Sequence, residues 1–264
     1  MLTTTSSPER KVAEVTLIFW VMKICATTLG ETAGDLLSMT LNVGYALSSL
    51  LLLSLFGVSL VAQLRARTYR PVLYWSVILT TSTAGTTLSD YLDRSLGLGY
   101  ATGAAILVAL LVTSLLTWYF SEGSLSVSNI RNFRPECFYW VTILISNTLG
   151  TALGDYLADD SGLGFGGGAL LIGTGIALVC LLYRFTRASH VVLFWVAFVL
   201  TRPFGATFGD LLTKPPAQGG LDLGTIGSSA VLFTILALLV AWVTRQQRAE
   251  HPISLAPERK RTVS

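Results

Sequence analysis

The sequence contains few charged residues, only three cysteines and only two histidines. Of its 264 residues, 12% are charged and 52% are hydrophobic, and the mean hydropathy is +0.63. This composition excludes a disordered, collagen-like or disulfide-stapled chain. The net charge of +3 is too small to indicate binding to nucleic acid.

The cysteines and histidines do not cluster. Cys25 and Cys180 fall inside apolar stretches, Cys137 lies at the edge of another, and both His190 and His251 are far from them in sequence. This scatter favours neither a disulfide framework nor a set of zinc ligands. Nothing resembles a nucleophile paired with a base, or a phosphate-binding loop. We therefore expect no enzymatic activity and no cofactor.

Long stretches of the chain carry no charge. Four of them are residues 36–64, 95–121, 161–183 and 223–244. Each is longer than the about 20 apolar residues that cross a bilayer. Four further apolar stretches begin near Val15, Pro71, Cys137 and Val191. The sequence predicts an all-α, polytopic membrane protein with eight transmembrane helices. A soluble helical protein is disfavoured because these stretches lack a polar stripe.

The basic residues outside the apolar stretches lie almost entirely on one side of the predicted membrane. Of the eighteen basic residues in the whole sequence, fourteen lie on this side: Arg10, Lys11, Arg65, Arg67, Arg70, Arg131, Arg134, Arg184, Arg187, Arg245, Arg248, Arg259, Lys260 and Arg261. The opposite connections carry only Arg94 and Lys214. The positive-inside rule then places both termini in the cytoplasm, as a multi-pass protein of a bacterial inner membrane. We retain the first stretch as a span because Lys23 interrupts it, which is atypical of a cleavable signal.

A short motif, Gly-x-x-x-small-Asp, recurs four times. Its copies end at Asp35, Asp90, Asp155 and Asp210, which are 55, 65 and 55 residues apart. A tryptophan lies fifteen residues before each of them, at Trp20, Trp75, Trp140 and Trp195. A glycine and an aromatic residue follow the first three by nine residues, at Gly44-Tyr45, Gly99-Tyr100 and Gly164-Phe165. In the fourth unit, Gly224 follows the aspartate by fourteen residues, after an insertion with Lys214-Pro215-Pro216.

The spacing of the motifs predicts four parallel two-helix repeats. The first and third copies, like the second and fourth, are 120 residues apart, which indicates a nested 2×2 duplication. Each unit holds two spans, so all four units cross in the same sense and their pseudo-symmetry axis runs along the membrane normal. The predicted division is a tail at 1–14, a first half at 15–121, a linker at 122–135, a second half at 136–244 and a basic tail at 245–264. The tails and the linker are predicted to be cytoplasmic.

Together, these motifs resemble a bacterial family of integral membrane proteins built from four tandem repeats of unknown function. The resemblance runs from about Val15 to Thr244. It implies a membrane protein with two spans and a tryptophan per repeat, and no particular activity. Unit two departs from the pattern with Ser89 in place of glycine, and unit four departs with Arg202-Pro203 and its insertion.

Small residues four apart allow two membrane helices to approach closely, so helix packing is their predicted role. They are Gly30, Gly34, Gly85, Ser89, Gly150, Gly154, Gly205 and Gly209. An alternative is that each glycine ends a helix and the aspartate caps the next segment. The four tryptophans lie near basic connections and are predicted to be interfacial anchors.

One carboxylate per repeat within an apolar helix suggests a functional site, although four independent interfacial caps are an alternative. The candidate ligands for a cation or solute are Asp35, Asp90, Asp155, Asp210 and Glu31. Polar residues one to three turns before each aspartate predict a track that faces a bundle interior or a wet cavity. The track and its counter-ions are Lys23, Thr27, Ser82, Thr86, Asn147, Thr151 and Arg202.

Five of these acids against the two bases Lys23 and Arg202 leave three negative charges uncompensated. This predicts either protonated carboxylates or a bound cation. A transporter of a small solute or cation is favoured, and oxygen ligands suit a hard divalent metal. The identity of the metal and any coupling to protons stay open. The alternative is a non-transporting, membrane-anchored scaffold or regulator whose basic loops contact partners or anionic lipids. The expected partners are the lipid bilayer and a small solute or cation, without nucleic acid; no oligomeric state is predicted.

Overall fold

A computed structural model describes residues 11–250 of the chain. The basic residues Arg10, Arg259, Lys260 and Arg261, and with them most of the two predicted cytoplasmic tails, lie outside the described residues.

Residues 11–250 form eight α-helices and no strand, which confirms the predicted all-α class for this part of the chain. The helices are α1 (Leu17–Asp35), α2 (Tyr45–Arg65), α3 (Pro71–Asp90), α4 (Tyr100–Glu122), α5 (Phe133–Asp155), α6 (Gly164–Phe185), α7 (His190–Thr213) and α8 (Thr225–Glu250).

The helix boundaries follow from local sequence. The Thr16 side chain accepts a hydrogen bond from Phe19 N and so caps α1, and proline opens α3, where its missing N–H costs nothing. Helices α2 and α4 begin after Gly44 and Gly99, whose φ angles are 80° and 73°. Glycine adopts such a conformation without strain, so the repeated Gly-aromatic pair starts the second helix of a repeat.

Six of the eight described helices are long and apolar enough to cross a membrane: α2, α4, α5, α6, α7 and α8. Helices α1 and α3 fall outside this group; α1 carries Lys23 and Glu31, and α3 is rich in threonine and serine. The length and composition of the six apolar helices indicate a membrane protein.

The first helices of the four repeats form a ring. Helix α1 packs against α3, α3 against α5, α5 against α7, and α7 against α1. We call these four the central ring. The peripheral helices α2, α4, α6 and α8 pack outside it, each against the first helix of the next repeat, so that α8 closes the ring on α1. The repeats are therefore interlocked rather than side by side.

Burial separates the two layers. In the most apolar stretches of α5 and α7, 67% and 56% of residues are buried, against 17–28% in the four peripheral helices. The peripheral helices expose large apolar side chains such as Leu50, Phe120, Leu170 and Leu238. An apolar surface of this extent needs an apolar partner or lipid.

Each of the first three repeats continues past its aspartate in a single π-helical turn. These turns are Leu36–Thr40, Tyr91–Ser95 and Tyr156–Asp160. The backbone is helical at Asp35, Asp90 and Asp155, and none of these side chains makes a capping hydrogen bond. The capping alternative is therefore wrong for these three. Isolated π turns are rare and are frequent at functional sites.

Candidate functional site

The glycines of the repeated motif lie where neighbouring helices of the central ring come closest. A Cβ on Gly85 would lie 2.9 Å from the backbone of Asn147, and one on Gly209 would lie 2.9 Å from Glu31 Cβ. The same holds for the other motif glycines, in the pairs Gly30 with Ser82, Gly34 with Thr86, Gly150 with Arg202, Gly154 with Ala206, and Gly205 with Thr27. Ser89 is also buried. Each glycine of the ring thus faces a residue of the predicted polar track, or its equivalent Ala206, on the next helix.

The four repeated aspartates meet at one end of the ring, which we call the carboxylate end. All four are 2–3% exposed. Arg94 Nε lies 3.0 Å from Asp90 Oδ1, and its Nη2 lies 3.1 Å from Asp155 Oδ2. Lys214 Nζ lies 2.6 Å from Asp35 Oδ2 and 3.2 Å from Asp210 Oδ1. The two basic side chains therefore link the aspartates in pairs: Arg94 links Asp90 to Asp155, and Lys214 links Asp35 to Asp210.

Arg94 and Lys214 are site residues that the sequence reasoning missed, because it assigned them to loops. A signal was present: each lies four residues after an aspartate, in the second and fourth repeats only. They also correct the charge count, because Arg94, Lys214 and Arg202 contact the five candidate acids, whereas Lys23 contacts none of them. Two formal negative charges are left, which is fewer than the three predicted from the sequence.

Lys214 lies just beyond the end of α7. Burial works against its charged form, but the carboxylates of Asp210 and Asp35 outweigh burial and raise the pKa of Lys214 above its usual value. The ammonium is therefore held as a fixed positive charge between two repeats.

Three carboxylates at this end are arranged as a candidate metal site. Glu31, Asp35 and Asp210 each offer an oxygen, and these oxygens lie within 4.8 Å of one another. Such oxygens are ligands for hard divalent cations. The ammonium of Lys214 contacts two of the three residues and supplies the positive charge there.

One turn deeper, the polar track forms a closed hydrogen-bond network that we call the central tier: Glu31, Thr86, Thr151 and Arg202. Arg202 Nη1 donates to Glu31 Oε2 over 2.9 Å, and its Nη2 donates to the hydroxyls of Thr86 and Thr151 over 2.5 and 2.7 Å. Both threonine hydroxyls also donate to Glu31 Oε2. All four residues are buried.

The remaining track residues also lie in the interior. Asn147 Nδ2 donates to Thr81 Oγ1 over 3.0 Å, and Thr27 Oγ1 donates to the carbonyl oxygen of Thr201 over 3.1 Å. Ser82 is buried, and its carbonyl accepts from Arg202.

Lys23 differs from its predicted role as a base paired with a carboxylate. Its side chain is 0% exposed, and among residues 11–250 its Nζ has neither a hydrogen-bond partner nor an ion pair. The ammonium lies 4.0 Å from the ring centroid of Phe198. The expected pairing of Lys23 with a carboxylate is therefore wrong, because the carboxylate of Glu31 is paired with Arg202.

A family model described as a Repeat of Unknown Function (DUF347) matches residues 18–69, 73–124, 138–189 and 193–249. The chain belongs to this repeat family. Each match holds one helix of the central ring and the peripheral helix that follows it. The resemblance stated from the motifs is confirmed. No curated protein and no solved structure matches the chain.

Each of the four DUF347 repeats of this chain contributes two adjacent aromatic residues to the end of the ring opposite the carboxylates. These pairs are Phe19-Trp20, Tyr74-Trp75, Tyr139-Trp140 and Phe194-Trp195, and we call them the aromatic layer. Their rings pack against one another at centroid distances of 5.0–6.4 Å. The hydroxyls of Tyr74 and Tyr139 are hydrogen bonded to each other.

The aromatic layer contradicts the prediction that the tryptophans are interfacial anchors. Trp75, Trp140 and Trp195 are buried, so these three lie in the protein interior rather than face lipid, whereas Trp20 is partly buried. In this chain, the first helices of the second, third and fourth repeats turn their tryptophan towards the interior. The missed signal was the aromatic residue that precedes each tryptophan.

Proposed function

We propose that the chain is a membrane transporter of a small cation, in which the repeated aspartates form the cation entrance. The observation that carries this proposal is the meeting of four aspartates, one from each repeat, in buried contact with Arg94 and Lys214. Packing does not require these charges, since replacing a buried ion pair with apolar residues often leaves stability unchanged or increases it. A purely structural bundle would therefore gain little from them.

All eight helices cross the membrane in this proposal. Helices α1 and α3 occupy the same ring as α5 and α7, which are long and apolar enough to span. The polar residues that keep α1 and α3 out of that group, such as Glu31 and Thr86, contact each other in the interior. A polar interior does not prevent a helix from spanning, because lipid meets only its outer face.

The pairing of the charges supports a nested 2×2 duplication. Arg94 of the second repeat reaches Asp155 of the third, and Lys214 of the fourth reaches Asp35 of the first. The two halves thus repeat the same contact. The basic connections at the aromatic end favour a cytoplasmic location for that end and for both termini.

A path for the cation runs along the axis of the ring. It starts among the aspartates, passes the hydroxyls and carboxylate of the central tier, and meets the aromatic layer. The ammonium of Lys214 acts as an internal substitute for the cation: it contacts Asp35 and Asp210 and is displaced when the cation binds. A lysine suits this role because it is a compact point charge on a flexible chain.

Flux of Mg²⁺, Mn²⁺ and Ca²⁺ into proteoliposomes tests the proposal. We expect each of Asp35→Asn, Asp90→Asn, Asp155→Asn and Asp210→Asn to lower flux by about tenfold or more, a loss of about 1.4 kcal/mol of stabilisation. The matched controls are Asp159→Asn and Asp222→Asn, which change exposed acids outside the aspartate group. Unchanged flux in all four variants would overturn the proposal.

The second candidate is a scaffold or regulator that uses its basic loops. The exposed side chain of Arg67 favours it, as do those of Arg131 and Arg134. If glutamine at these three positions abolishes binding to vesicles of anionic lipid or to a partner, while all four aspartate variants keep full function, the scaffold is the better account.

A further inference from the structure

One level of the central ring contains a lysine where the other repeats have large apolar side chains. Twelve residues before the repeated aspartates lie Lys23, Ile78, Ile143 and Phe198. All four are 0% exposed. Packing at this level is therefore satisfied by an isoleucine or a phenylalanine, and it does not explain a lysine in the first repeat.

The surroundings of Lys23 offer its ammonium no acceptor. Among residues 11–250, Nζ has no hydrogen-bond partner and no ion pair. It lies over the aromatic ring of Phe198. A charged group withdrawn from water without a partner carries a large free-energy cost. The ring faces the cation with its electron-rich surface, which offsets only part of that cost.

The charged and titratable groups near Lys23 are few. Helix α7 brings Arg202, a base already paired with Glu31, and at its two ends His190 and Asp210. Helices α3 and α8 carry such groups only towards their ends. Among the described side chains of those two helices, they are Tyr74, Asp90, Arg245 and Arg248. On α1 itself, Cys25 donates to the carbonyl oxygen of Leu232, and Glu31 lies two turns further along.

Lys23 can exist in two states that differ by one proton. As a neutral amine it needs no counter-ion, and as an ammonium it contacts Phe198 and is repelled by Arg202. Arginine cannot alternate in this way, because its guanidinium stays protonated in proteins, whereas a lysine can become neutral when it is buried.

We propose that Lys23 binds and releases the proton that couples cation transport to a pH gradient; this rests on the transport function proposed above. When no cation is bound, the neutral amine takes one proton from water and becomes an ammonium. When a cation reaches Glu31 and Asp35, about 12 and about 18 Å along α1 from Lys23, the added positive charge repels the ammonium. The proton then returns to water, so one proton is exchanged for each cation that binds.

The test compares Lys23→Ile and Lys23→Arg with the wild-type protein in proteoliposomes that contain a pH-sensitive dye. Isoleucine stands at this level in the second and third repeats, so the first variant is expected to fold, which size-exclusion chromatography checks. Ile143→Leu is the matched control, because it changes packing at the same level without removing an exchangeable proton.

We expect the wild-type protein and Ile143→Leu to accumulate the cation when a pH gradient is imposed and to move protons as the cation moves. We expect both Lys23 variants to keep the exchange of labelled for unlabelled cation without a gradient, but to lose gradient-driven accumulation and the dye response. Retention of both signals in Lys23→Ile would overturn the role of Lys23, as would wild-type transport that ignores the pH gradient. Absence of cation flux in the wild-type protein would instead overturn the transport function, and the proton role with it.

Discussion

Arg202 on α7 contacts Glu31 on the neighbouring helix α1, with its Nη1 2.9 Å from Glu31 Oε2 and both side chains buried. The same guanidinium also donates to Thr86 and Thr151, so it connects the first, second and third repeats to its own, the fourth. An arginine suits this position because its planar fork presents several donors at fixed angles. The central tier therefore ties all four repeats together at one point.

Removal of one partner of this buried pair should be costly. We expect Arg202→Met to lower the free energy of unfolding by about 3–5 kcal/mol, because Glu31 is left as an unpaired buried charge. The double variant with Glu31→Gln should recover part of that loss. Denaturant titration in mixed micelles measures Arg202→Met, Glu31→Gln and the double variant, with the wild-type protein as reference. Additive effects of the two substitutions would show that the pair is not coupled.

The close approach of the ring helices should make the motif glycines intolerant of a side chain. At Gly85 a Cβ would lie 2.9–3.0 Å from the backbone of the Asn147–Thr148 segment, which cannot move aside as a side chain can. We expect Gly85→Ala to destabilise the protein by about 1–3 kcal/mol. The matched control is Gly57→Ala in α2, where a Cβ meets nothing within 4 Å. It should be neutral or add up to about 1 kcal/mol of stability, as measured by the same titration.

The stabilising effect of Lys214 should persist over a broad pH range. Its pKa is raised in the folded protein, so its contribution is complete below the unfolded value of 10.5 and is lost as the pH rises through the higher folded value. The difference in melting temperature between the wild-type protein and Lys214→Gln should therefore not shrink as the pH rises through neutrality to about pH 9, and should shrink only in more alkaline solution. A difference that already shrinks as the pH rises through neutrality would contradict the ion pairs with Asp35 and Asp210.

The hydroxyl pair in the aromatic layer should behave as one unit. Either Tyr74→Phe or Tyr139→Phe leaves the other buried hydroxyl without its partner, at a cost of about 1–3 kcal/mol. The double variant removes both hydroxyls and should be no less stable than either single variant. Thermal unfolding of the four proteins measures this coupling, and a double variant with the summed loss would refute it.

Residue order was sufficient to predict the helical class, the four repeats and the candidate acids, because each depends on local composition or on regular spacing. The four apolar stretches predicted to begin near Val15, Pro71, Cys137 and Val191 correspond to helices that begin at Leu17, Pro71, Phe133 and His190. The role predicted for the tryptophans was wrong because nearness to a basic loop does not reveal whether a helix faces lipid or the ring axis. Trp75, Trp140 and Trp195 are buried because their helices turn them towards the interior of the ring.

Which basic residue pairs with which aspartate of another repeat depends on how the helices of the central ring pack. Arg94 and Asp155 are 61 residues apart in the chain, and Lys214 and Asp35 are 179 apart. Spacing along a helix can indicate that Arg94 is near Asp90, four residues before it, but no local rule selects its second partner. Helix formation depends on neighbours in sequence, whereas an ion pair between repeats depends on the order in which whole helices pack, and that order is a property of the folded ring alone.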